Sequence, residues 1–370
     1  MLPNPFQKPL TEFKDTDPLK NREIVRELLG PEGVHKYRKI LGDNSDTRAK
    51  REKEVSKEDL LVMAETEREK FLNEVFKPNF EKLIEREFAT QIKSLQEINF
   101  LETRDGRIGF TAIDNNFYEV PSVEEIKNHF LSNPNIKQKV DQGFTRLLIV
   151  PFGALLKFLV EKTETLIRKH KIEGKLLDRN GKELIHCEPD AVSISTSQLM
   201  ADVSGELRYY SDFFDWDTCN GQTKKELLST VSSKSPFLGY HILLLQQDTT
   251  IPEEGAGVSR GGRRAMERGK TPHEYLKELR SNPVYVGEQG LTPEDWLALF
   301  STNLNQNNTV IDDTGNGVDG VKFLIGSYFY QDHSVPLAHW SRDKRYEQAR
   351  IDGRAPTNKY ATVGPSSAVG

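Results

Sequence analysis

Two short, nearly unbroken apolar runs, Phe144–Val150 and Tyr240–Leu245, set the firmest limit on what this chain can fold into. Runs of that length, the first stopped by Pro151, suit strands buried within a core and are far short of the roughly 20 residues a membrane span needs. A chain of 370 residues that is 36% hydrophobic and 29% charged can bury such strands beneath amphipathic helices. The sequence therefore predicts an α+β fold.

Helices are marked by periodicity and by their first turns. Ser56 caps a helix carrying Leu60, Leu61, Ala64, Phe71, Leu72, Val75 and Phe76, which Pro78 breaks or kinks. A second segment places Phe80, Leu83, Ile84, Phe88, Ile92 and Leu95 on one face. These apolar faces serve core packing or, as an alternative, homo-oligomerisation through residues 56–97. Residues 98–121 alternate about an Arg104-Asp-Gly-Arg107 turn and predict a hairpin. Ser122 caps a further helix, and Leu155–Lys171 is amphipathic. Thr271-Pro-His-Glu274 and Thr292-Pro-Glu-Asp295 are capping boxes with proline at the first helical position. Phe323–Tyr330 reads as one strand. The expected domains are a leader and charged linker over 1–55, partly disordered, a helical arm with a small hairpin over 56–121, and an α+β domain over 122–370.

Several functional classes are disfavoured. A net charge of −5 gives no global attraction to nucleic acid or anionic membrane. The N-terminus lacks the basic-then-apolar order of a secretory signal, and two cysteines are too few for a disulfide scaffold, so a cytoplasmic location is expected. Gly269-Lys-Thr271 imitates a phosphate loop, but Arg264 stands where that loop needs glycine, and helix capping explains Thr271 better. The Gly255–Gly262 stretch is a surface loop or, with Arg260, Arg263 and Arg264, an anion-binding nest. His186-Cys-Glu188 lacks the second half of a zinc motif, and Asp312–Asp319 lacks the bidentate glutamate of a calcium loop. Glu188-Pro-Asp190 with Trp216-Asp217 only faintly matches a calcium-dependent sugar site. No catalytic arrangement is suggested locally, and no metal or cofactor is expected.

The C-terminal segment has a different pattern. Val335, Pro336, Ala338, Trp340, Ala349, Ile351, Pro356 and Val363 form a sparse apolar or rigid framework. Between them lie Arg, Lys, Tyr and His, residue types suited to contact surfaces. Over 337–364 six basic residues face three acidic ones, a local excess of +3 in an acidic protein. Side chains that project from such a framework can change at little cost. An ordinary polar tail is the alternative.

From about Gly143 onward the landmarks resemble the variable proteins of diversity-generating retroelements. These landmarks are Gln142–Gly153, Gly261-Gly-Arg263, Gly287-Glu-Gln-Gly-Leu-Thr-Pro-Glu-Asp-Trp-Leu297, Val310-Ile-Asp-Asp313, Gly326-Ser-Tyr-Phe329 and Val335-Pro-x-Ala-x-Trp340, then Arg345, Pro356, Gly364 and Ala368-Val369. The resemblance implies a C-type-lectin-like, formylglycine-generating-enzyme-like C-terminal domain whose exposed codons are rewritten to diversify ligand binding. Its variable segment would span about 335–364. On this reading His339, Ser341, Arg342, Lys344, Tyr346, Arg350, Asp352, Arg354, Asn358, Lys359 and Tyr360 are diversified contacts to an unknown protein or other macromolecule. Trp296, Val335, Pro336, Trp340, Pro356 and Gly364 are fixed scaffold. The chain departs from the family at its end, with Ser366 and Gly370 where the family carries arginines. An oxidase on the same scaffold, using Cys187 and Cys219, and a phage-type attachment component are the alternatives.

Overall fold

The computed structural model describes residues 74, 76–229, 236–247, 250–316, 320–342 and 347–370, without the side chains of Glu188, Pro189 and Asn316. The expected leader over 1–55, most of the first helix of the arm, and the candidate contacts Lys344 and Tyr346 lie outside the described residues. Residues Leu83–Gly370 form one compact unit. It mixes helices with several sheets, as the apolar runs require.

Helix α1 (Lys77–Glu97) leads into a small meander of β1 (Glu102–Arg104), β2 (Arg107–Thr111) and β3 (Phe117–Glu119). Its first turn uses Asp105 and Gly106, both at positive φ (52° and 77°), the two-residue geometry that matches strand twist. The expected boundary at 121/122 falls inside the compact unit, because the meander is sealed to the core. Phe110 meets Tyr240 edge-on at 5.0 Å, and the Tyr240 hydroxyl donates to the Tyr118 carbonyl.

Helix α2 (Val123–Ser132) begins at Ser122 with a complete capping box to Glu125. Strand β4 (Phe144–Val150) then precedes helix α3 (Leu156–Ile172), β5 (Cys187–Ser193), β6 (Leu207–Tyr209) and β7 (His241–Gln246). Two-residue strands β8 (Ser259–Arg260) and β9 (Arg263–Arg264) close a tiny hairpin. Helix α4 (Pro272–Ser281), strand β10 (Glu288–Gly290) and helix α5 (Pro293–Asn307) follow. The chain ends with β11 (Val321–Phe323), β12 (Ser327–Phe329), β13 (Val335–Arg342), β14 (Glu347–Arg354), β15 (Val363–Pro365) and β16 (Ser367–Val369).

Two larger sheets organise these strands. The order β10-β16-β7-β4 makes one, so that both apolar runs of the sequence lie side by side as β4 and β7. The order β15-β11-β13-β14-β5 makes the other. Helix α5 is buried over every residue from Pro293 to Leu304 and packs on α3, β4 and β13. A helix enclosed on all sides belongs to the core and not to a surface layer.

The single strand expected over Phe323–Tyr330 is two strands. The chain breaks at Leu324–Gly326, where it crosses β10 with almost no room between backbones. A Cβ on Gly290 would sit 2.7 Å from the Gly326 nitrogen, and one on Gly326 would sit 2.9 Å from the Leu291 carbonyl. Only glycines permit that approach.

Candidate ligand-binding face

Strands β13 and β14 run antiparallel in unbroken register from Val335 opposite Arg354 to Arg342 opposite Glu347. Residues directly opposite share a face, and faces alternate along each strand. One face therefore carries Pro336, Ala338, Trp340, Ala349 and Ile351; the other carries Leu337, His339, Ser341, Gln348, Arg350 and Asp352. Trp340 is wholly buried and stacks on Phe300 of α5 at 5.9 Å. The first face is thus closed by helices.

The second face is divided. Towards β11, Leu337 and Val335 join a cluster with Phe323, Tyr328 and Tyr275. Towards β5, His339, Ser341, Arg350 and Asp352 are half-buried, with Ser193 of β5 opposite Arg350. Arg354, Asn358 and Lys359 are exposed, and Tyr360 is half-buried with its ring 6.3 Å from Phe323. Among the scaffold positions Trp296, Val335 and Trp340 are fully enclosed, and Pro336, Pro356 and Gly364 are buried.

Arg342 differs from its neighbours. It follows Trp340 onto the closed face, where Nε donates to Asp313 at 2.8 Å and Nη2 to Asp178 at 2.9 Å. Burial works against the Asp178 carboxylate, but Arg342 and the Lys182 and Asn180 amides hold it below its ordinary range. The Arg342 head is engaged in joining three segments of chain. His339 shows the opposite environment: burial pushes its imidazole down to about 4, helped by Arg350 and Arg354 and opposed by Asp352.

An aromatic group assembled from distant segments borders the Arg354 end. Trp216 is 51% exposed, with Tyr330 at 6.3 Å and His333 at 6.0 Å, and Phe213 nearby in sequence is 58% exposed. The Arg208 guanidinium lies 5.6 Å over the Tyr330 ring. The turn bearing His333 leads directly into Val335, the partner of Arg354. An exposed Trp beside a half-buried Tyr is a common kind of anchor in protein contacts.

Behind the face, the Gly287–Leu297 block is accounted for almost residue by residue. Gly287 adopts φ 77°, and Glu288 pairs with Arg263 at 2.8 Å and Lys139 at 2.7 Å. Thr292 and Asp295 form the cap of α5. Glu294 pairs with Lys224 at 2.8 Å and accepts from Tyr209 at 2.7 Å. Trp296 donates to Asp312 at 2.8 Å, and Asp312 pairs with Lys322 at 2.7 Å. Lys224 also holds Asp202, with all three charged side chains of that cluster at 0% exposure. Burial disfavours the Lys224 ammonium, yet Glu294 and Asp202 outweigh it and raise its pKa.

Other candidate sites are already occupied by the protein's own groups. The amides of Gly255 and Gly257 donate to Glu267, Arg264 pairs with Glu267, and Arg263 is taken by Glu288. The nest reading of that loop is therefore filled internally. Thr271 caps α4. Among the described residues no group of three His, Cys, Asp or Glu side chains could hold a metal. Cys187 is buried at the start of β5, Cys219 lies in the loop after β6, and the two are not joined in a disulfide. A cavity of about 420 Å³ is lined by Tyr210, Arg280, Glu288, Gln289 and Ile325, among others. Its polar groups are committed: Tyr210 to His241 at 2.8 Å, Arg280 to Asp212 and the Ser211 carbonyl, and Glu288 as above.

No protein-family profile matches the chain, and neither does any curated protein or solved structure. Among the described residues no helix is long and apolar enough to cross a membrane.

Proposed function

We propose that this chain is a ligand-display protein whose C-type-lectin-like C-terminal domain carries a surface rewritten by a diversity-generating retroelement. One observation carries the reading: the hairpin β13–β14 has one face locked against α5 and one face partly open, and the framework and contact positions separate between them. Trp340 and its neighbours lie on the locked side, while His339, Ser341, Arg350 and Asp352 lie on the open side. Such a division lets outward residues vary while the fold is held from behind. Arg342 and Val335 are exceptions: the ion pairs of Arg342 argue for a fixed role on the locked face, and the framework residue Val335 lies on the other face, in the part covered by the Phe323 cluster.

The partner is a protein or other macromolecule, since the open face is a sheet surface and not an enclosed pocket. Residues 56–97 serve as an assembly or docking arm on this reading. An oxidase on the same scaffold finds little support in two cysteines placed in separate elements.

The test has a genetic arm and a binding arm. Close relatives should carry an imperfect second copy of codons 335–364 beside a reverse-transcriptase gene, with differences confined to adenines. Absence of both from every close relative would remove diversification. A library varied at the open-face positions and panned against candidate proteins should yield binders. If no selected variant binds and all retain the fold, the binding role falls too.

A further inference from the structure

We infer that the loop over residues 213–217 and the turn over 331–333 form a docking surface for a protein segment that presents an arginine side chain. The arginine is held between the exposed Trp216 ring and the carboxylates of Asp215, Asp217 and Asp332. These positions lie outside the segment 335–364, so the inference does not depend on the display reading. Where both hold, the surface supplies a constant contact beside the variable one.

The fold leaves this aromatic surface open without leaving it loose. Phe214 is buried in the middle of the loop, with its ring 5.7 Å from Tyr328. The Ser211 hydroxyl donates to the Phe213 carbonyl and accepts from the Phe213 amide. The Asp212 amide donates to Asn220 at 2.8 Å, and the Asp217 amide to the Asp215 carboxylate at 2.9 Å. Pinned in this way, the loop turns Phe213 and Trp216 outward, each more than half exposed, whereas Trp296 and Trp340 are wholly enclosed. Aromatic area left in water costs free energy until a partner covers it, and a loop already held loses little further freedom when that happens.

Charge decides what kind of partner fits. Asp215 and Asp217 flank Trp216 in the chain, and Asp332 precedes His333, whose ring is 6.0 Å from that of Trp216. All three carboxylates are exposed, and among the described residues none of them forms an ion pair. The neighbouring guanidinium groups are engaged elsewhere: Arg280 with Asp212, Arg354 with Asp352, and Arg208 with Glu226 and the Tyr330 ring. The surplus around Trp216 is therefore negative, which repels nucleic acid and anionic lipid and draws a cation. Arg208 already shows the mode of contact, with its guanidinium 5.6 Å over Tyr330, the ring that lies 6.3 Å from Trp216. Tryptophan is the strongest aromatic partner for a cation, and a planar guanidinium can lie on the ring while its N–H groups reach carboxylates. A lysine ammonium is more strongly hydrated and has no flat face to stack.

Trp216 makes the surface readable, because the other two tryptophans are enclosed. A short oligoarginine peptide titrated into the full-length protein should shift the Trp216 emission saturably. Oligolysine of equal length should bind at least about fivefold more weakly, and oligoglutamate should not bind. The double variant Asp215→Asn, Asp217→Asn keeps a side-chain oxygen for the loop's own amide and should weaken oligoarginine binding by about tenfold. Glu119→Gln, at an exposed carboxylate of β3, should leave it unchanged. Equal affinity for oligolysine and oligoarginine, or unaltered affinity in the double variant, would overturn the assignment. So would a concentration-dependent dimer that covers Trp216 without any peptide, since the occupant would then be a second copy. The comparison of peptides on the wild-type protein needs no variant to fold. None of these outcomes bears on the codon-repeat test, so the two readings can fail separately.

Discussion

The two faces of one hairpin treat charge in opposite ways. On the closed face, Arg342 is bound to Asp313 and Asp178, and Asp313 is fully enclosed. On the open face, three residues along the partner strand from the position opposite Arg342, Arg350 shares a distant Asp352 with Arg354. The same residue type is a structural tie in one place and a loosely paired group in the other. Removing a partner from a buried ion pair strands the remaining charge, whereas trimming a partly exposed side chain strands nothing. On the proposed reading, stability and ligand recognition fall on opposite sides of a two-stranded element.

Predictions that could break this contrast run from large to small. Trp340→Ala should cost about 3–5 kcal/mol in urea unfolding, because it empties the contact with Phe300 in a closed core. A loss below about 1 kcal/mol would mean the closed face is not closed. Arg342→Ala should cost about 2–3 kcal/mol through the stranded Asp313, while Arg350→Ala changes stability by less than about 0.5 kcal/mol. Equal effects would erase the distinction between the two arginines.

The pH dependence sharpens the same point. Burial holds the folded His339 down to about 4 from an ordinary 6.5, so the unfolded chain binds more protons between those values. His339 therefore contributes stability that is fully present above about 6.5 and declines as the pH falls towards 4, by at most about 3 kcal/mol. His339→Gln should flatten that part of the stability profile. It should not abolish it, because burial also lowers the pKa values of His129, His170 and His273. The smallest effects belong to Asn358→Ala and Lys359→Ala, exposed positions where the melting transition should shift within the range of about 0.5 kcal/mol.

How much of this was legible in the sequence follows from how local each cause is. The caps at Ser122, Thr271 and Thr292 need only three neighbouring residues, and all three appear as read. The buried strands β4 and β7 were legible because short apolar runs such as Leu147–Val150 and Ile242–Leu245, bounded by polar residues or proline, suit enclosed strands. The break at Leu324–Gly326 was not, since it arises from contact with Gly290, a residue on another element. Arg342 was grouped with the contacts for a similar reason: its partners Asp178 and Asp313 belong to distant segments. The Trp216, Tyr330 and His333 group is likewise assembled across the chain, although the acidic, aromatic Asp212–Asp217 stretch was a usable sign of an exposed surface.

The most direct measurement is a saturation library over Val335–Arg342 and Glu347–Arg354, sorted for folding by resistance to proteolysis. Tolerance should alternate with the strand period, low at Ala338, Trp340, Arg342, Ala349 and Ile351, and high at His339, Ser341, Arg350 and Asp352. A profile without that alternation, or one with its phase reversed, would contradict the separation of framework from display.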